Sequence, residues 1–469
     1  MLFPTVQFAV FFAVVLTVSW ALVKRPVAWK LFLLAASYLF YAAWDWRFTG
    51  LLAGCTVINQ AAAIGIHRAS TDRRRRWILG GAIAADLGVL AWFKYYGFFV
   101  SSFTNLLGRA GLEPSMPLFD ILLPVGISFF TFQAMSYVID VFRGKLEPAP
   151  HLDTAVFVAF FPQLVAGPIV RGSEMLPQLR SQPDAQRIEA TRAFGLILAG
   201  LFKKVVIANT LATELVDSVF ATPGAHSSME ILFGIYGYAV QIYADFSAYT
   251  DIAIGVALLL GFRFPQNFNA PYAATSLRDF WRRWHMTLSR WLRDYLYISL
   301  GGNRGGKLFT YRNLMITMVL GGLWHGAAWT FVLWGALHGG GLAIERFFSA
   351  RREPRPSTTA GRITQRIVTF HVVCLGWVLF RADSLGTAGE VLTRLFTAGG
   401  PAPAVTPTIL LLIAIGIGMQ YVPRDLGTRL EVALGRWRPA AVAGTLGVSL
   451  LVLDALGPTG VAPFIYFQF

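Results

Sequence analysis

The chain has 469 residues, of which 55% are hydrophobic and 14% are charged, and its mean hydropathy is +0.55. A soluble domain carries roughly 25% charged residues, so the composition excludes a soluble enzyme and indicates a membrane protein. The net charge of +15 would suggest a nucleic-acid partner for a soluble chain. In a membrane protein, basic residues collected in cytosolic loops explain it better.

Long apolar runs recur along almost the whole sequence. Because a membrane-spanning helix needs about 20 residues, they predict roughly ten to thirteen membrane segments in an all-α, multi-pass protein. No basic residue precedes the first run and no convincing cleavage site follows it, so we expect a retained helix rather than a signal peptide. The runs cover residues 6–23, 31–44, 48–66, 77–93, 155–169, 193–207, 231–260, 314–342, 367–380, 409–421 and 440–456.

Basic residues after the first and third runs predict the orientation of the chain. Lys24, Arg25 and Lys30 follow the first run, and the arginine block 73–76 follows the third. The positive-inside rule places both loops in the cytosol and the N-terminus on the far side. Cys55 and Cys374 lie within apolar runs, and we expect both to be small buried residues, since two thiols cannot make a disulfide framework.

Residues 243–251 interrupt an apolar run with Asp245, Ser247 and Asp251. Carboxylates at that depth must pair or line water. Two interpretations stay open: structural pairing with an arginine of the basic segment that follows, or the lining of a substrate cavity.

Residues 263–312 form a strongly basic segment, which the positive-inside rule places at the cytosolic face. It holds nine arginines and lysines against only Asp279 and Asp294. Within it, apolar side chains recur at steps of three and four residues, which predicts one amphipathic interfacial helix with Ser276 as its cap. The apolar positions are Trp281, Trp284, Leu288, Trp291 and Leu292, and Arg282 and Arg283 lie largely off that stripe.

Residues 301–307 contain the letters of a phosphate-binding loop. The next residue is Leu308, which cannot ligate magnesium, and no βαβ context surrounds the loop. We expect a glycine-rich turn between two membrane elements. A second interpretation is a loop whose amides, with Arg304 or Lys307, meet a phosphate group at the cytosolic face.

Residues 314–342 contain no ionisable group except His325 and His338. An imidazole in a membrane segment is a candidate functional group. On one continuous helix the two would lie ~220° apart, so only one is expected to face a given cavity. Gly321, Gly322 and Gly326 are expected to leave room for a ligand beside His325, whereas the glycines flanking His338 favour helix packing.

His325 is therefore the candidate general base, because the pKa of imidazole lies near operating pH. Acyl transfer from a thioester to a hydroxyl removes the hydroxyl proton as the oxygen attacks. His285 is the candidate second group, holding the acyl carbonyl or orienting the attacking oxygen. The sequence contains no GxSxG motif, so a serine acyl-enzyme is not indicated. Neither His-x-x-x-His nor Cys-x-x-Cys spacing occurs, so no metal site is expected.

A series of motifs, in order along most of the chain, resembles the membrane-bound O-acyltransferase family, and within it the bacterial branch that O-acetylates alginate. The motifs are FPQLVAGPIVR (161–171), YADFS (243–247), TDIAIG (250–255), GFRFPQNF (261–268), FWRRWHM (280–286), RDYL (293–296), GGNR (301–304), GGLWHG (321–326) and FIYFQF (464–469). Relatives in that branch act on cellulose or peptidoglycan.

The resemblance implies one domain over residues 1–469, with tilted helices in a ring around a central funnel, in the bacterial inner membrane. It places the catalytic histidine of the family at His325. A second polar residue, asparagine in many members and histidine in the bacterial branch, maps to His285.

The resemblance also implies acetyl-CoA as the acyl donor, with no bound cofactor. The acceptor would be an exported polysaccharide or a separate periplasmic acetyltransferase partner. The basic segment could attract the phosphates of the donor. The candidate substrate-binding residues are Trp324, Trp281, Arg282, Arg283 and Asp245.

Two other functions remain possible on the sequence alone. Intramembrane His and Asp side chains also relay protons in transporters and flippases, although no two related halves with interrupted segments are found. In a structural subunit of a polysaccharide synthase, both histidines would merely pack.

Overall fold

The computed structural model describes residues 1, 3–112, 117, 119, 121–349, 358–437, 439–456, 464 and 465. Within these ranges every regular element is helical and no β-strand occurs. The all-α class predicted by the apolar runs is therefore confirmed. Residues 466–469 of the C-terminal motif lie outside the described ranges.

The helices are separated by short turns, and polar caps begin many of them. Thr5, Thr71, Thr358, Ser384 and Thr406 each accept a hydrogen bond from a backbone amide in the first turn that follows. The helices are α1 (Val6–Leu22), α2 (Pro26–Asp45), α3 (Thr49–Arg68), α4 (Asp72–Leu90), α5 (Tyr96–Arg109), α6 (Ile127–Phe142), α7 (His151–Ala159), α8 (Phe161–Leu164), α9 (Gly172–Arg180), α10 (Ala190–Ala221), α11 (Ser228–Leu259), α12 (Leu277–Trp281), α13 (Met286–Trp291), α14 (Lys307–His325), α15 (Trp329–Ser349), α16 (Thr359–Arg381), α17 (Leu385–Thr397), α18 (Pro407–Gly418), α19 (Arg424–Leu434) and α20 (Pro439–Leu456).

Wider and tighter helical turns join or interrupt these helices. π-Helical turns cover Ala91–Tyr95, Phe202–Ala208, Ala212–Val216 and Leu292–Tyr297, the second and third of them inside α10. Short 3₁₀ turns cover Trp46–Phe48, Ala185–Arg187, Pro223–Ala225, Pro271–Ala273 and Met419–Tyr421.

Five helical stretches of the described chain are long and apolar enough to cross a membrane, or six if the bent pair at Pro407–Leu434 forms one span. The five are Pro26–Arg68, Asp72–Arg109, Ala190–Ala221, Ser228–Leu259 and Thr359–Arg381. The protein is therefore a multi-pass membrane protein. The count is lower than the predicted ten to thirteen, because several apolar runs form shorter helices or join into one long stretch.

The first compact unit comprises residues 1–188 and 259–264. In it, α6 is buried along almost its whole length. The Gln60 amide accepts hydrogen bonds from the hydroxyls of Tyr137 (2.9 Å) and Thr154 (2.8 Å), which ties α3 to α6 and α7. Lys30 on α2 pairs with Asp153 on α7 at 2.6 Å. Cys55 belongs to this unit and is a buried free thiol, as predicted.

The second compact unit comprises residues 189–258 and 265–469, and most of α11 is buried within it. Cys374 on α16 is buried there as a free thiol, as predicted. The apolar run 314–342 is not one helix: α14 ends at His325 and α15 begins at Trp329. The two pack antiparallel, because Gly335 approaches Met318 and Val319 while Gly339 approaches Met315. The prediction of a single domain over residues 1–469 stays a prediction.

Candidate active site

His285 lies at a break between two short helices. The predicted interfacial helix is wrong as one element: α12 ends at Trp281, α13 begins at Met286, and His285 between them has a positive φ of 41°. Side chains of the apolar stripe, Trp284 and Leu288 among them, are buried in the protein. A bulky residue in the left-handed region is strained, and such strain often marks functional sites. The predicted cap is confirmed, since the Ser276 hydroxyl accepts from the amide of Asp279 at 3.0 Å.

Asn267 fixes the imidazole of His285. Its side-chain oxygen lies 3.1 Å from Nδ1 of His285 and also accepts from the amide (3.2 Å) and the hydroxyl (2.9 Å) of Thr287. Because two Thr287 donors identify that atom as the oxygen, Nδ1 of His285 must carry the proton. Burial lowers the pKa of His285 to about 3, so the ring is neutral with its lone pair on Nε2.

His325 is the last residue of α14, and its ring lies among aromatic side chains. Its ring centroid is 5.0 Å from those of Trp324 and Trp334 and 5.2 Å from that of Phe380. The centroid of His285 is 6.5 Å away. The structure therefore brings together the two histidines that the sequence analysis selected forty positions apart.

The glycines around His325 serve helix packing rather than ligand space. A Cβ on Gly322 would overlap the Phe331 carbonyl, and a Cβ on Gly326 would overlap the Phe331 ring. A side chain on Gly321 would press against Leu292 at 3.1 Å. The expectation that these glycines leave room for a ligand is wrong, because α15 and Leu292 occupy that volume.

His338 lies on α15, fully buried. Trp334 contacts both this ring (4.7 Å between centroids) and the ring of His325 (5.0 Å). The ~220° separation does not apply, because α14 and α15 are different helices. The packing expected of the flanking glycines is confirmed, since a Cβ on Gly335 would overlap the backbone of Met318.

The aromatic candidates for substrate contact lie near the two histidines. Trp324 is buried, with its ring centroid 5.8 Å from that of His285. Trp281 packs on Trp334 (5.6 Å) and His338 (5.2 Å). Their contact with substrate stays a prediction.

The two candidate arginines differ in their surroundings. Arg282 is exposed at the helix break, whereas Arg283 pairs with Asp279 at 2.8 Å. Arg282 can therefore meet a solvent-borne anion without breaking an ion pair. Contact of either residue with a donor stays a prediction.

The carboxylates of α11 pair with lysines of α10. Asp245 lies 2.8 Å from Nζ of Lys204, and Asp251 lies 2.5 Å from Nζ of Lys203, which also donates to the Ser247 hydroxyl at 2.8 Å. The expectation that these carboxylates pair with an arginine of the basic segment is wrong, because Lys203 and Lys204 occupy the facing π-helical turn. The cavity-lining alternative stays a prediction.

Asp245 also holds Ile465, which lies near the C-terminus in sequence. Its second carboxylate oxygen accepts from the amide of Ile465 at 2.8 Å. Phe464 is buried against Tyr249 (4.3 Å) and Phe246 (5.7 Å), and the Phe246 ring lies 4.7 Å from that of His285. Phe464 and Ile465 therefore pack close to the candidate catalytic residues.

The glycine-rich residues 301–307 form a turn, as predicted. Gly301, Gly302, Gly305 and Gly306 all have positive φ, which glycine adopts readily. The side-chain amide of Asn313 donates to the carbonyls of Leu300 (3.1 Å) and Gly302 (3.0 Å) and so pins the turn to α14. Phosphate contact at Arg304 or Lys307 stays a prediction.

Sequence reasoning assigned no role to Asn267, Lys203 or Lys204. Asn267 lies inside the motif 261–268, but nothing in the sequence shows that it reaches a histidine eighteen residues later. The two lysines sit in the apolar run 193–207, and this was a usable signal, since cations at that depth need a partner. Among the described residues, no cluster of His, Cys, Asp and Glu could hold a metal ion.

Comparison with known proteins shows which family the chain resembles. Residues 141–382 match the membrane-bound O-acyltransferase family. The chain is 46% identical over 376 residues to a probable alginate O-acetylase AlgI of Pseudomonas aeruginosa, covering 79% of this chain and 70% of the relative. It is 40% identical over 408 residues to a peptidoglycan O-acetyltransferase of Helicobacter pylori, covering 81% and 76%. A teichoic acid D-alanyltransferase of Bacillus subtilis is 27% identical, covering 57% and 71%.

The chain therefore belongs to the membrane-bound O-acyltransferase family, in the branch of the alginate O-acetylases. It is an O-acyltransferase that uses an acyl donor, and the transport and scaffold alternatives lose their basis. His285 and His325 both lie within the matched residues.

Proposed function

We propose that this protein transfers acetyl groups from cytosolic acetyl-CoA, with His325 as the general base and His285 as its assistant. The observation that carries the proposal is the 6.5 Å separation of the two buried ring centroids. Each imidazole lies at the end of a helical element and is fixed by its neighbours. Such fixed placement is what positioning an attacking hydroxyl requires.

In the proposed step, an acceptor hydroxyl attacks the thioester carbonyl of the donor. His325 removes the hydroxyl proton as the new C–O bond forms, the C–S bond then breaks, and the CoA thiolate leaves with a proton. The indoles of Trp324 and Trp334 and the ring of Phe380 surround His325. They would exclude water, which would otherwise hydrolyse the thioester.

The tautomer of His285 favours one of its two possible roles. A neutral ring with its proton on Nδ1, donated to Asn267, offers only a lone pair at Nε2. A lone pair accepts a hydrogen bond and cannot donate one to an acyl carbonyl. His285 would therefore orient the attacking hydroxyl, or a protonated His325, rather than hold the carbonyl.

The donor would approach along the basic segment 263–312. Arg282 is the natural contact for a CoA phosphate, because it is exposed three residues from His285. Arg283 would keep its pair with Asp279 and shape the helix break. Trp281 and Trp324 would pack against the donor or acceptor, and Asp245 would support the site through its ion pair.

The acceptor would be a hydroxyl of an exported polysaccharide resembling alginate, or a residue of a periplasmic acetyltransferase partner. The support is the chemistry of the relatives, which are O-acetylases of alginate and of peptidoglycan. A protein that joins a cytosolic donor to such an acceptor belongs in the bacterial inner membrane.

The test compares His325→Asn with His338→Asn. The two histidines contact the same tryptophan and both are buried, so the control reproduces the loss of a packed imidazole. Release of CoA from acetyl-CoA by the purified protein and the acetate content of exported polysaccharide would both be measured, with membrane levels checked.

Loss of both signals in His325→Asn, with His338→Asn retaining them at normal protein levels, would support the proposal. Equal activity in the two variants would remove His325 from the general-base role. If His325→Asn abolishes CoA release but leaves the acetate content of exported polysaccharide unchanged, the acceptor is a different molecule.

A further inference from the structure

A serine, a histidine and a glutamate form a hydrogen-bonded series away from the candidate active site. Ser218 lies in the last turn of α10, His226 follows the 3₁₀ turn Pro223–Ala225, and Glu230 lies in the first turn of α11. Oγ of Ser218 is 3.0 Å from Nε2 of His226, and Nδ1 of His226 is 3.2 Å from Oε2 of Glu230. This is the connectivity of a nucleophile, its base and the group that orients the base.

The proton positions suit a nucleophilic serine. Because the Glu230 carboxylate can only accept a hydrogen bond, Nδ1 of His226 carries the proton and donates it to Oε2, which leaves the lone pair of the ring on Nε2. That lone pair faces the Ser218 hydroxyl. Glu230 is itself held by the amides of Ser227 and Ala404, each at 3.0 Å, so its orientation is fixed from two elements.

Exposure along the series also suits a reactive site. Ser218 is exposed, whereas His226 and Glu230 are buried. Arg394 of α17 donates to the carbonyl of His226 at 2.9 Å and holds the backbone that carries the imidazole. A substrate and water can therefore reach the hydroxyl and the imidazole nitrogen that faces it, while most of the base and its partner stay buried.

This cluster is separate from the histidine pair. Phe246, the residue whose ring contacts His285, lies sixteen positions after Glu230 on α11, which corresponds to about 24 Å along a helix. An acyl group cannot pass directly between sites so far apart. The cluster lies at the end of α11 opposite the basic segment, which is the side predicted to face away from the cytosol.

We infer that Ser218, His226 and Glu230 form a second acyl-transfer site, which takes carboxylic esters from the side away from the cytosol and passes their acyl group to water. Ser218 Oγ attacks the ester carbonyl and its proton passes to Nε2 of His226. The C–O bond of the ester breaks, the alcohol leaves with that proton, and the acyl group remains on Ser218. Water, deprotonated by His226, then releases the carboxylic acid.

The sequence alone does not indicate this chemistry, because no GxSxG motif is present. Such motifs belong to particular families, whereas the series is recognised by its geometry. The inference does not depend on the proposed function, and its test uses the full chain carrying His325→Asn so that the histidine pair contributes nothing.

The experiment measures labelling by a fluorophosphonate probe and hydrolysis of p-nitrophenyl acetate by that protein in detergent. We expect labelling at Ser218, located by peptide mass spectrometry, and its loss in Ser218→Ala. His226→Gln should slow labelling by about 100-fold, as expected for loss of a general base. Thr213→Ala is the matched control, because Thr213 is an exposed hydroxyl of the same helix that contacts only backbone carbonyls.

Ser218→Ala removes an exposed side chain and its one hydrogen bond to His226, so its thermal unfolding should lie only slightly below that of the parent. Absence of labelling in the parent would overturn the inference, as would equal labelling of the parent and Ser218→Ala. Either result would make the series a structural tie between α10 and α11. Both outcomes leave the separate acetyl-CoA assay of the proposed function untouched.

Discussion

The side-chain oxygen of Asn267 lies 3.1 Å from Nδ1 of His285 and determines which nitrogen of that ring carries the proton. The same oxygen accepts both hydrogen bonds from Thr287, so one amide organises the break between α12 and α13. The left-handed backbone of His285 and the tautomer of its ring are therefore linked through Asn267.

Replacement of Asn267 by Leu should lower the rate of acetyl transfer at least ~10-fold with a smaller change in the KM for acetyl-CoA. The reason is that the imidazole would lose the partner that fixes its tautomer. The control Thr287→Val removes one hydrogen-bond donor to the same oxygen and leaves the His285 contact, so the rate of acetyl transfer should fall less than in Asn267→Leu. A larger fall of the rate in Thr287→Val would contradict the role assigned to Asn267.

His285 should make stability fall as the pH is lowered. The pKa of His285 is about 3 in the folded protein and about 6.5 when the chain unfolds, so between these values only the unfolded state binds the proton. Stability is therefore lost as the pH falls below about 6.5, by about 1 kcal/mol between pH 7.5 and pH 5.5.

The measurement is the unfolding temperature of the purified protein at both pH values, compared with His285→Asn. Asparagine has no titrating group, so the variant should lose less stability on acidification. An equal loss in the two proteins would mean that His285 is charged in the folded state.

The apolar runs and the motifs were sufficient to predict the all-α multi-pass class, the family and the two histidines that meet. The break at His285 was not predictable, because it depends on tertiary hydrogen bonds. The amide of Met286 donates to the carbonyl of Asn267, and the amide of Asn269 donates to the carbonyl of Arg283, both at 2.9 Å. The apolar and basic residues around the break keep a helical period, which hides the turn.

The partners of the buried carboxylates were missed for a related reason. Sequence spacing shows that Asp245 and Asp251 need counter-charges, but the choice between arginines and lysines depends on how α10 lies against α11. The π-helical turn Phe202–Ala208 sets that register by shifting Lys203 and Lys204 relative to a regular helix. Single-sequence patterns do not locate such turns.

Asp245→Asn should destabilise the protein by about 3–5 kcal/mol, because it leaves the ammonium of Lys204 buried without its counter-charge. Both side chains are at most 4% exposed, so solvent cannot compensate. The double variant Asp245→Asn with Lys204→Met should regain much of that stability. Asp251→Asn is the control, with a smaller loss, since the Asp251 side chain is 26% exposed.

Chemical unfolding of the solubilised protein would measure these differences. Additive losses in the double variant would show that the two side chains are not coupled. The amide of Ile465 can still bond to the asparagine oxygen, so the tail contact does not account for the expected loss.

The close approach of α14 and α15 gives a matched pair of glycine variants. A Cβ on Gly335 would overlap the backbone of Met318 and lie 2.7 Å from Cα of Val319, and backbone cannot move aside as a flexible side chain can. Gly335→Ala should therefore destabilise the protein by about 1–3 kcal/mol and separate the helices that carry His325 and Trp334.

The control is Gly340→Ala, in which the new methyl would meet only the end of Met315, at 3.9 Å. That variant should keep wild-type stability and acetyl transfer, or gain slightly in stability from the higher helix propensity of alanine. Thermal unfolding and CoA release measured on both variants would check this, and equal behaviour of the two would mean that the helices are not in contact at Gly335.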